Sequence, residues 1–451
     1  MVIIERNNYK YKKKQKGIAL FLTLIALTLL SIIGFGLVGI STIQSKAALV
    51  QQDAVRSYYY ARIGLSTARE ELKKNYSWDG GSHTYVQGNQ AQMQEGYTVT
   101  VWRPSDFYTT TNKVWKVTST GVYGGSRRTL TSWLNLESFA TYLYFTDREK
   151  MGSTTIWFIW KDKLHGRVHT NGYFSMYYHP QFSGKVTSHN GGDSYYDSAN
   201  RKYHQGGKWY TDLSKFFHYY HSYSNDCPIA VSGQESDFSF AGEQPEVSLP
   251  ANTNSIQANA DFSYSSTTKL KFYDEGKVRV MNYSDGSWHT EYKNTDNITI
   301  YVDGKVVIEG GTLKGKCTVG CTGNMEIENS LVYNDQNLDV MGVVAGQNII
   351  IKTGPYTSKN LTLHMVLMAL NGSFYVDQYG SGIPRGKLTI LGGLIQGSRG
   401  PVGTFSGGDI RTGYNKDYKY DKKLLNMPPP NYPTTGNVIL LSIEDSASLG
   451  H

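Results

Sequence analysis

No phosphate-binding loop, dinucleotide fingerprint or nucleophile elbow occurs in this 451-residue chain, so the common signatures of nucleotide chemistry and acyl transfer are missing. Cysteine is scarce. Of the three present (Cys227, Cys317 and Cys321), the last two are spaced C-x3-C, enough for a small disulfide in an oxidising compartment. They offer a zinc ion too few ligands. The plainer expectation for Cys317 and Cys321 is two small buried side chains in a turn region. Basic charge is also short once its position is considered. The formal +8 includes Arg6, Lys10, Lys12, Lys13, Lys14 and Lys16 against Glu5, a net of +5 before Gly17, which leaves +3 for the rest. No basic stripe survives, which argues against a nucleic-acid partner.

What is abundant is Tyr (35) and Gly (47), alongside many Thr, Ser and Asn. Aromatic and β-branched side chains suit a pleated surface, so the composition predicts β-structure with many turns on an exposed, extracellular surface. The exception is the N-terminus. Residues 18–40, IALFLTLIALTLLSIIGFGLVGI, carry no charge, and the next one is Lys46. At about 1.5 Å per residue this run spans the ~30 Å hydrocarbon core as a helix. The basic residues before it stay cytoplasmic, so the N-terminus is expected inside, the bulk of the chain outside, and the protein in the cytoplasmic membrane with one pass. A cleaved signal peptide would have a shorter apolar region and a small-residue cleavage site after it, and none follows. Instead a second helical pattern continues. Ala54, Tyr58, Ala61, Leu65, Ala68 and Leu72 are spaced 4, 3, 4, 3, 4, one face of a helix running to about Lys74.

The string at 12–39, KKKQKGIALFLTLIALTLLSIIGFGLVG, resembles the N-terminus of a type IV prepilin, and 57–72, SYYYARIGLSTAREEL, is similar to the segment after the hydrophobic helix in PilX-type accessory pilins. The resemblance implies a basic leader cut between Gly17 and Ile18 by a prepilin peptidase. It also implies other pilin-like subunits and the pilus assembly machinery as partners. Major pilins place Glu at the fifth residue after the cut, where it pairs with the N-terminal amine of the adjoining subunit; here that position is Leu22. An unpaired carboxylate at membrane depth is costly, and Leu22 avoids the cost and forgoes the contact. The K-type minor pseudopilin of type II secretion shares this absence and sits at a filament tip, so the resemblance points to priming or capping a filament. Gly34, Gly36 and Gly39 either loosen the helix or allow close helix–helix approach.

Beyond Tyr76 a turn-rich linker leads to three alternating stretches, 97–102, 113–119 and 128–136, which predict a small antiparallel sheet packed against the helix. The following region is β-rich. Short strands are expected at 164–172 and 182–188, and from about Asn297 the apolar centres Val306, Ile327, Ile350 and Tyr375 recur at intervals of 21, 23 and 25. That period suggests a parallel β-solenoid, although a β-sandwich shows similar strands. The fold class is therefore α+β, mainly β: a long transmembrane and amphipathic helix, a small pilin-like sheet, then a large β-rich domain. Its parts are a leader at 1–17, a transmembrane helix at 18–42, a pilin-like unit at 43–138, and a solenoid-like domain at 139–410 with an insertion at about 190–295. An extended Pro-containing tail at 411–451, with PPPNYP covering an end or edge of the solenoid, completes the chain. The segments 369–376, 394–405 and 413–436 resemble the C-terminal domain that accompanies PilX-type N-termini. The Tyr- and His-rich insertion offers surface for a sugar or protein ligand.

Parallel β-helices host polysaccharide-active enzymes, which need converging carboxylates. The acidic candidates Asp303, Glu309, Glu326, Glu328, Asp335 and Asp339 fall at strand ends and turns, where solvated carboxylates are ordinary. His165 and His169, with His179 and His189, are candidate metal ligands; four apart on one strand, the first two would be ~13 Å apart, too far to share an ion. His218 and His221 meet only in a helix. The expectation is no enzyme, no metal and no cofactor. It leaves a structural filament component, with a membrane-anchored or filament-borne adhesin as the alternative and a β-helix enzyme as a remote third.

Overall fold

The computed structural model describes residues 8–85, 95–104, 113–159, 161–172, 174, 176–177, 180–190, 194–197, 202–205, 208–210, 229–230, 239–354, 359–406 and 409–446. His179, His218, His221 and Cys227 lie outside them, as does most of 190–238. The described chain is one long apolar N-terminal helix followed by predominantly β-structure, and it divides into two compact units.

The first unit holds α1 (Asn8–Lys74) and four strands, β1 (Gly80–Tyr85), β2 (Glu95–Trp102), β3 (Val114–Tyr123) and β4 (Ser126–Ser138), which pair antiparallel in sequence order. The expected linker after Tyr76 contains β1, a strand hidden by its Gly and Ser content. A fifth strand, Thr434–Ser446, joins the sheet beyond β4. This corrects the reading of 411–451 as an extended tail: it carries two long strands, Asp409–Tyr420 and Thr434–Ser446. Ser442 O accepts from Ser132 Oγ at 2.5 Å. Against the sheet lies the C-terminal half of α1, burying Ala61, Leu65, Ala68 and Leu72, with Ala54 and Tyr58 half-buried. Ser57 and Gly64 are buried on the same face, small residues that carry no apolar signal. The approach is close because β3 has Gly121 at the crossing: a Cβ there would sit 2.1 Å from Ser57 O and 2.4 Å from Ala61 N.

The second unit takes Leu136–Asn437, so it is inserted between the fourth and fifth strands of the first unit's sheet. Its strands stack in parallel ladders. Along one ladder Ile300 pairs with Val319, then Val343, Leu367 and Leu394, each step one coil of chain. Along another, Leu270 pairs with Ile308, then Ile327, Ile351 and Val376. Of the expected centres only Ile327 stands on this ladder: Val306 is two residues from Ile308, and Ile350 and Tyr375 are each one residue short of Ile351 and Val376, which puts them on the opposite face of their strands. The side chains of both ladders are buried in one apolar column. Such stacking works because each strand's backbone is satisfied by the strands above and below while alternate side chains point inward.

Chain order and stacking order differ. Leu394 pairs onward with Tyr144, Tyr144 with Val168, and Val168 with Val186, so the last strands of the unit lie against its first. The predicted pair at 164–172 and 182–188 is in fact four short strands, Lys163–His165, Val168–Thr170, Gln181–Ser183 and Lys185–Ser188. Each pair bends at a glycine. Gly166 has φ +153° and Gly184, at φ +115°, stacks on its carbonyl, where a Cβ would come within 2.6 Å. Residues 242–261 then return along the stack. Asn171 Nδ2 donates to Val247 O at 2.9 Å, Ile256 packs on Gly320, and Asp261 Oδ2 accepts from Thr299 N at 2.7 Å. A second apolar cluster covers the outer side of the first ladder, where Tyr142, Val344, Val366 and Ile395 meet Ile256, Leu424 and Tyr432. Thus the PPPNYP segment covers a side of the stack and not an end: Pro430 O accepts from Thr318 Oγ1, and Tyr432 packs over Gly342.

Candidate functional site

Helix α1, at 67 residues, is about 100 Å long at 1.5 Å per residue. From Ile18 to Val50 every residue is exposed, including Leu22 at 59% and Phe35 at 79%. The stretch is long and apolar enough to cross a bilayer, with a mean hydropathy of 2.6 in its most apolar window. Thr23 and Thr28 donate to carbonyls three residues back, and Ser31 and Thr42 to carbonyls four back, so these four hydroxyls are satisfied within the helix. At Gly34, Gly36 and Gly39 a Cβ would meet nothing within 4 Å beyond the helix's own neighbouring backbone, which leaves their surface open to another helix. The helix runs without interruption through Gly17 and Ile18. Toward its C-terminus the surface changes from lipid-like to sheet-facing at about Ser57.

The chemical residues selected from the sequence do not converge. Glu309 pairs with Arg279 at 2.8 Å, Glu326 with Lys305 at 3.5 Å, and Asp303 accepts from Thr322 Oγ1 at 3.0 Å. Asp339 binds the backbone amides of Gly315 and Asp335, at 2.7 and 2.6 Å, closing a turn. Glu328 and Asp335 likewise stand at strand ends. His165 and His169 lie on separate strands because Gly166 bends the chain between them, so the premise of one shared strand is wrong. His169 is buried, with Nδ1 at 2.8 Å from Thr187 Oγ1 and Nε2 at 3.1 Å from Asn171 Oδ1. Burial lowers its pKa to about 4, so it is neutral at physiological pH. His189 Nδ1 faces Gln244 O at 2.8 Å. Among the described residues no three His, Cys, Asp or Glu side chains are grouped as metal ligands. Cys317 and Cys321 are free, buried thiols on one strand, Lys316–Cys321, not in a turn. Four residues apart in an extended strand puts them ~13 Å apart, beyond disulfide reach. Burial pushes the Cys321 thiol up to about 12, which makes it unreactive.

One buried ionic group escaped the sequence reading. Arg399 bonds Glu149 at 2.7 Å and stacks on Phe158 at 3.5 Å from the ring centroid. Beside it Lys416 bonds Asp162 at 2.6 Å, and further out Lys161 bonds Asp409 at 2.7 Å. Each pair joins the opening segment of the second unit to its closing one, where the last strands lie against the first. The cations neutralise the carboxylates one for one, and Glu149 also accepts from Thr146 Oγ1, so the group is fully occupied with itself. A groove of about 540 Å³ runs alongside, lined by Lys161, Lys163, His165, Lys387 and Lys416 among others. No sequence pattern marks these residues, since an ion pair between positions 149 and 399 leaves no local spacing.

Residues 109–190 match a family described only as a domain of unknown function (DUF4900). The match runs from the third strand of the first unit into the opening strands of the second. No curated protein matches the chain. Among solved structures, the chain is similar to the competence-associated pilin ComZ from Thermus thermophilus, at 11% identity and a TM-score of 0.34, covering 87% of this chain and 98% of that one.

Proposed function

We propose that this protein is a membrane-anchored, pilin-like accessory subunit of a type IV pilus or related filament, with a structural and not an enzymatic role. The observation that carries the reading is α1. One uninterrupted helix presents an entirely exposed apolar half and then buries a small-residue stripe against an antiparallel sheet. A soluble protein has no use for some thirty consecutive exposed, largely apolar positions, whereas a subunit that rests in a bilayer and then packs among neighbouring helices does. The basic leader before Gly17 and the missing carboxylate at Leu22 support processing by a prepilin peptidase and a place at a filament's start or tip. The N-terminus is inside and both compact units are outside by the charge rule. In this reading the parallel ladders of the second unit form a β-solenoid, since the pairings from coil to coil are parallel where the strands of a sandwich would pair antiparallel, and antiparallel hairpins such as Thr268–Ser284 are appended to the stack.

Co-expression with a prepilin peptidase tests the core of the proposal. The mature chain is expected to begin at Ile18, and Gly17→Leu to leave the leader attached; an intact Met1 in the presence of active peptidase would reduce the protein to a signal-anchored one. Immunogold labelling then separates tip from shaft, and label along whole filaments sinks the tip assignment.

A further inference from the structure

At one end of the stack, the strand Thr268–Tyr273 pairs antiparallel with Lys277–Ser284, which pairs with Ser287–Asn294. The inner face of this three-stranded sheet is apolar, with Leu270, Phe272, Val278 and Val280 buried in the main core. Its outer face is unusual. Trp288 and Tyr283 lie directly opposite each other, ring centroids 5.2 Å apart, and Tyr273 and Tyr292 form a second pair at 6.4 Å. Trp288, Tyr283 and Tyr292 are 43, 42 and 58% exposed. Four residues on one strand separate Trp288 from Tyr292, which sets the two aromatic pairs ~13 Å apart.

Cations fill the space between and beside the rings. Lys269 reaches to 5.2 Å from the Trp288 ring and Lys271 to 5.8 Å from the Tyr273 ring. Lys271 stands opposite Arg279, and Lys277 opposite Tyr273. None of the three strands contributes Asp or Glu to this face; Glu309, which holds Arg279, comes from a neighbouring strand, and Asp274, Glu275 and Asp285 sit in the two turns. Exposed aromatic rings with ammonium groups lying over them, on a surface lacking carboxylates of its own, match a ligand that is both ring-shaped and anionic.

We propose that this sheet face binds an extended acidic polysaccharide, its sugar rings stacking on the Trp288/Tyr283 and Tyr273/Tyr292 pairs and its carboxylates meeting Lys269, Lys271 and Lys277. A polyuronate fits better than a single-stranded nucleic acid. The face is one side of an open sheet that ends in the strand Ser287–Asn294, paired along its length with Lys277–Ser284, whereas a phosphate backbone is tracked by a cationic groove. Its cations cluster between the ring pairs, where a sugar's own carboxylate would fall. The assignment does not rest on the filament reading, since it concerns only the second unit's surface.

The test uses the detergent-solubilised full-length protein over immobilised alginate, with uncharged dextran and a poly-dT oligonucleotide as the other surfaces. Alginate is expected to retain the protein well above dextran. Trp288→Ala and Lys277→Glu should each weaken retention by about tenfold, with Trp288→Phe restoring much of the loss at that position and thermal unfolding unchanged, because these side chains are exposed. Three results overturn the proposal: no retention on alginate, equal retention of Trp288→Ala, or tighter binding to poly-dT than to alginate at the same salt.

Discussion

Arg399 is among the most deeply buried charges described in this chain, with side-chain exposure of 2% against 3% for Glu149. Burying a charge is tolerable only when its partner stays in place. Arg399→Ala is therefore expected to cost about 3–5 kcal/mol, because Glu149 is left unpaired in the core. The paired change Arg399→Met with Glu149→Leu should recover most of that loss in urea unfolding. If the single variant unfolds like the parent, the pair does not hold the join. His169 makes a different statement. Its pKa is lowered by burial from 6.5 to about 4, so the folded state resists the proton that the unfolded chain accepts. Its contribution is present above pH 6.5 and is lost as pH falls toward 4, on the order of 3 kcal/mol across that window. His169→Gln should flatten the acid side of the stability curve between those limits, read as the unfolding midpoint against pH.

At the scale of elements, the fifth strand of the first unit is a segment a local reading misses. Residues 434–446 contain VILLSIE, which is legible as a strand, but its partner β4 lies at the far side of the whole second unit in the chain and nothing local names it. Removing 438–451 should open the β4 edge and strip Ser132 of its bond to Ser442. The shortened protein is expected to self-associate in size-exclusion chromatography; a truncated chain as monodisperse as the parent would show that the edge is otherwise protected. Helix α1 is far more readable. A helical period shows itself within a few turns, so the spacing of Ala61, Leu65, Ala68 and Leu72 marks positions that are buried here. Ser57 and Gly64 escape such a reading because small or polar residues admit close backbone approach without adding hydrophobicity.

For the whole molecule, what the sequence makes legible is the repeat and what it conceals is the order. The steps of the second ladder, from Ile308 to Ile327, Ile351 and Val376, stand close to the spacing of apolar centres, but Val306 is two residues off because Ile308 shares its strand and inward face, and Ile350 and Tyr375 are one off because apolar runs such as Ile349–Ile351 do not mark which face is inward. The docking of Leu394 on Tyr144 stays hidden, since stacking neighbours so far apart in the chain have no common motif. The same holds for the site residues. The aromatic pairs of the end sheet fall within the Tyr-rich interval that reads as ligand-binding surface, but their alignment needs the hairpin register. The ionic group around Arg399 needs the whole fold.

The insertion of the second unit within the first has a temporal consequence. Glu137 and the segment that leaves the second unit are tied together, with Thr435 Oγ1 donating to Glu137 Oε2 at 2.8 Å and Phe139 N to Pro433 O at 3.0 Å. During synthesis α1 and β1 to β4 emerge first, yet their sheet stays incomplete until the entire second unit has been made. A prematurely ended chain therefore carries an anchor and an open sheet edge but never a finished one. Completion of the anchoring unit becomes a report, delivered by the final strand, that everything upstream of it has arrived.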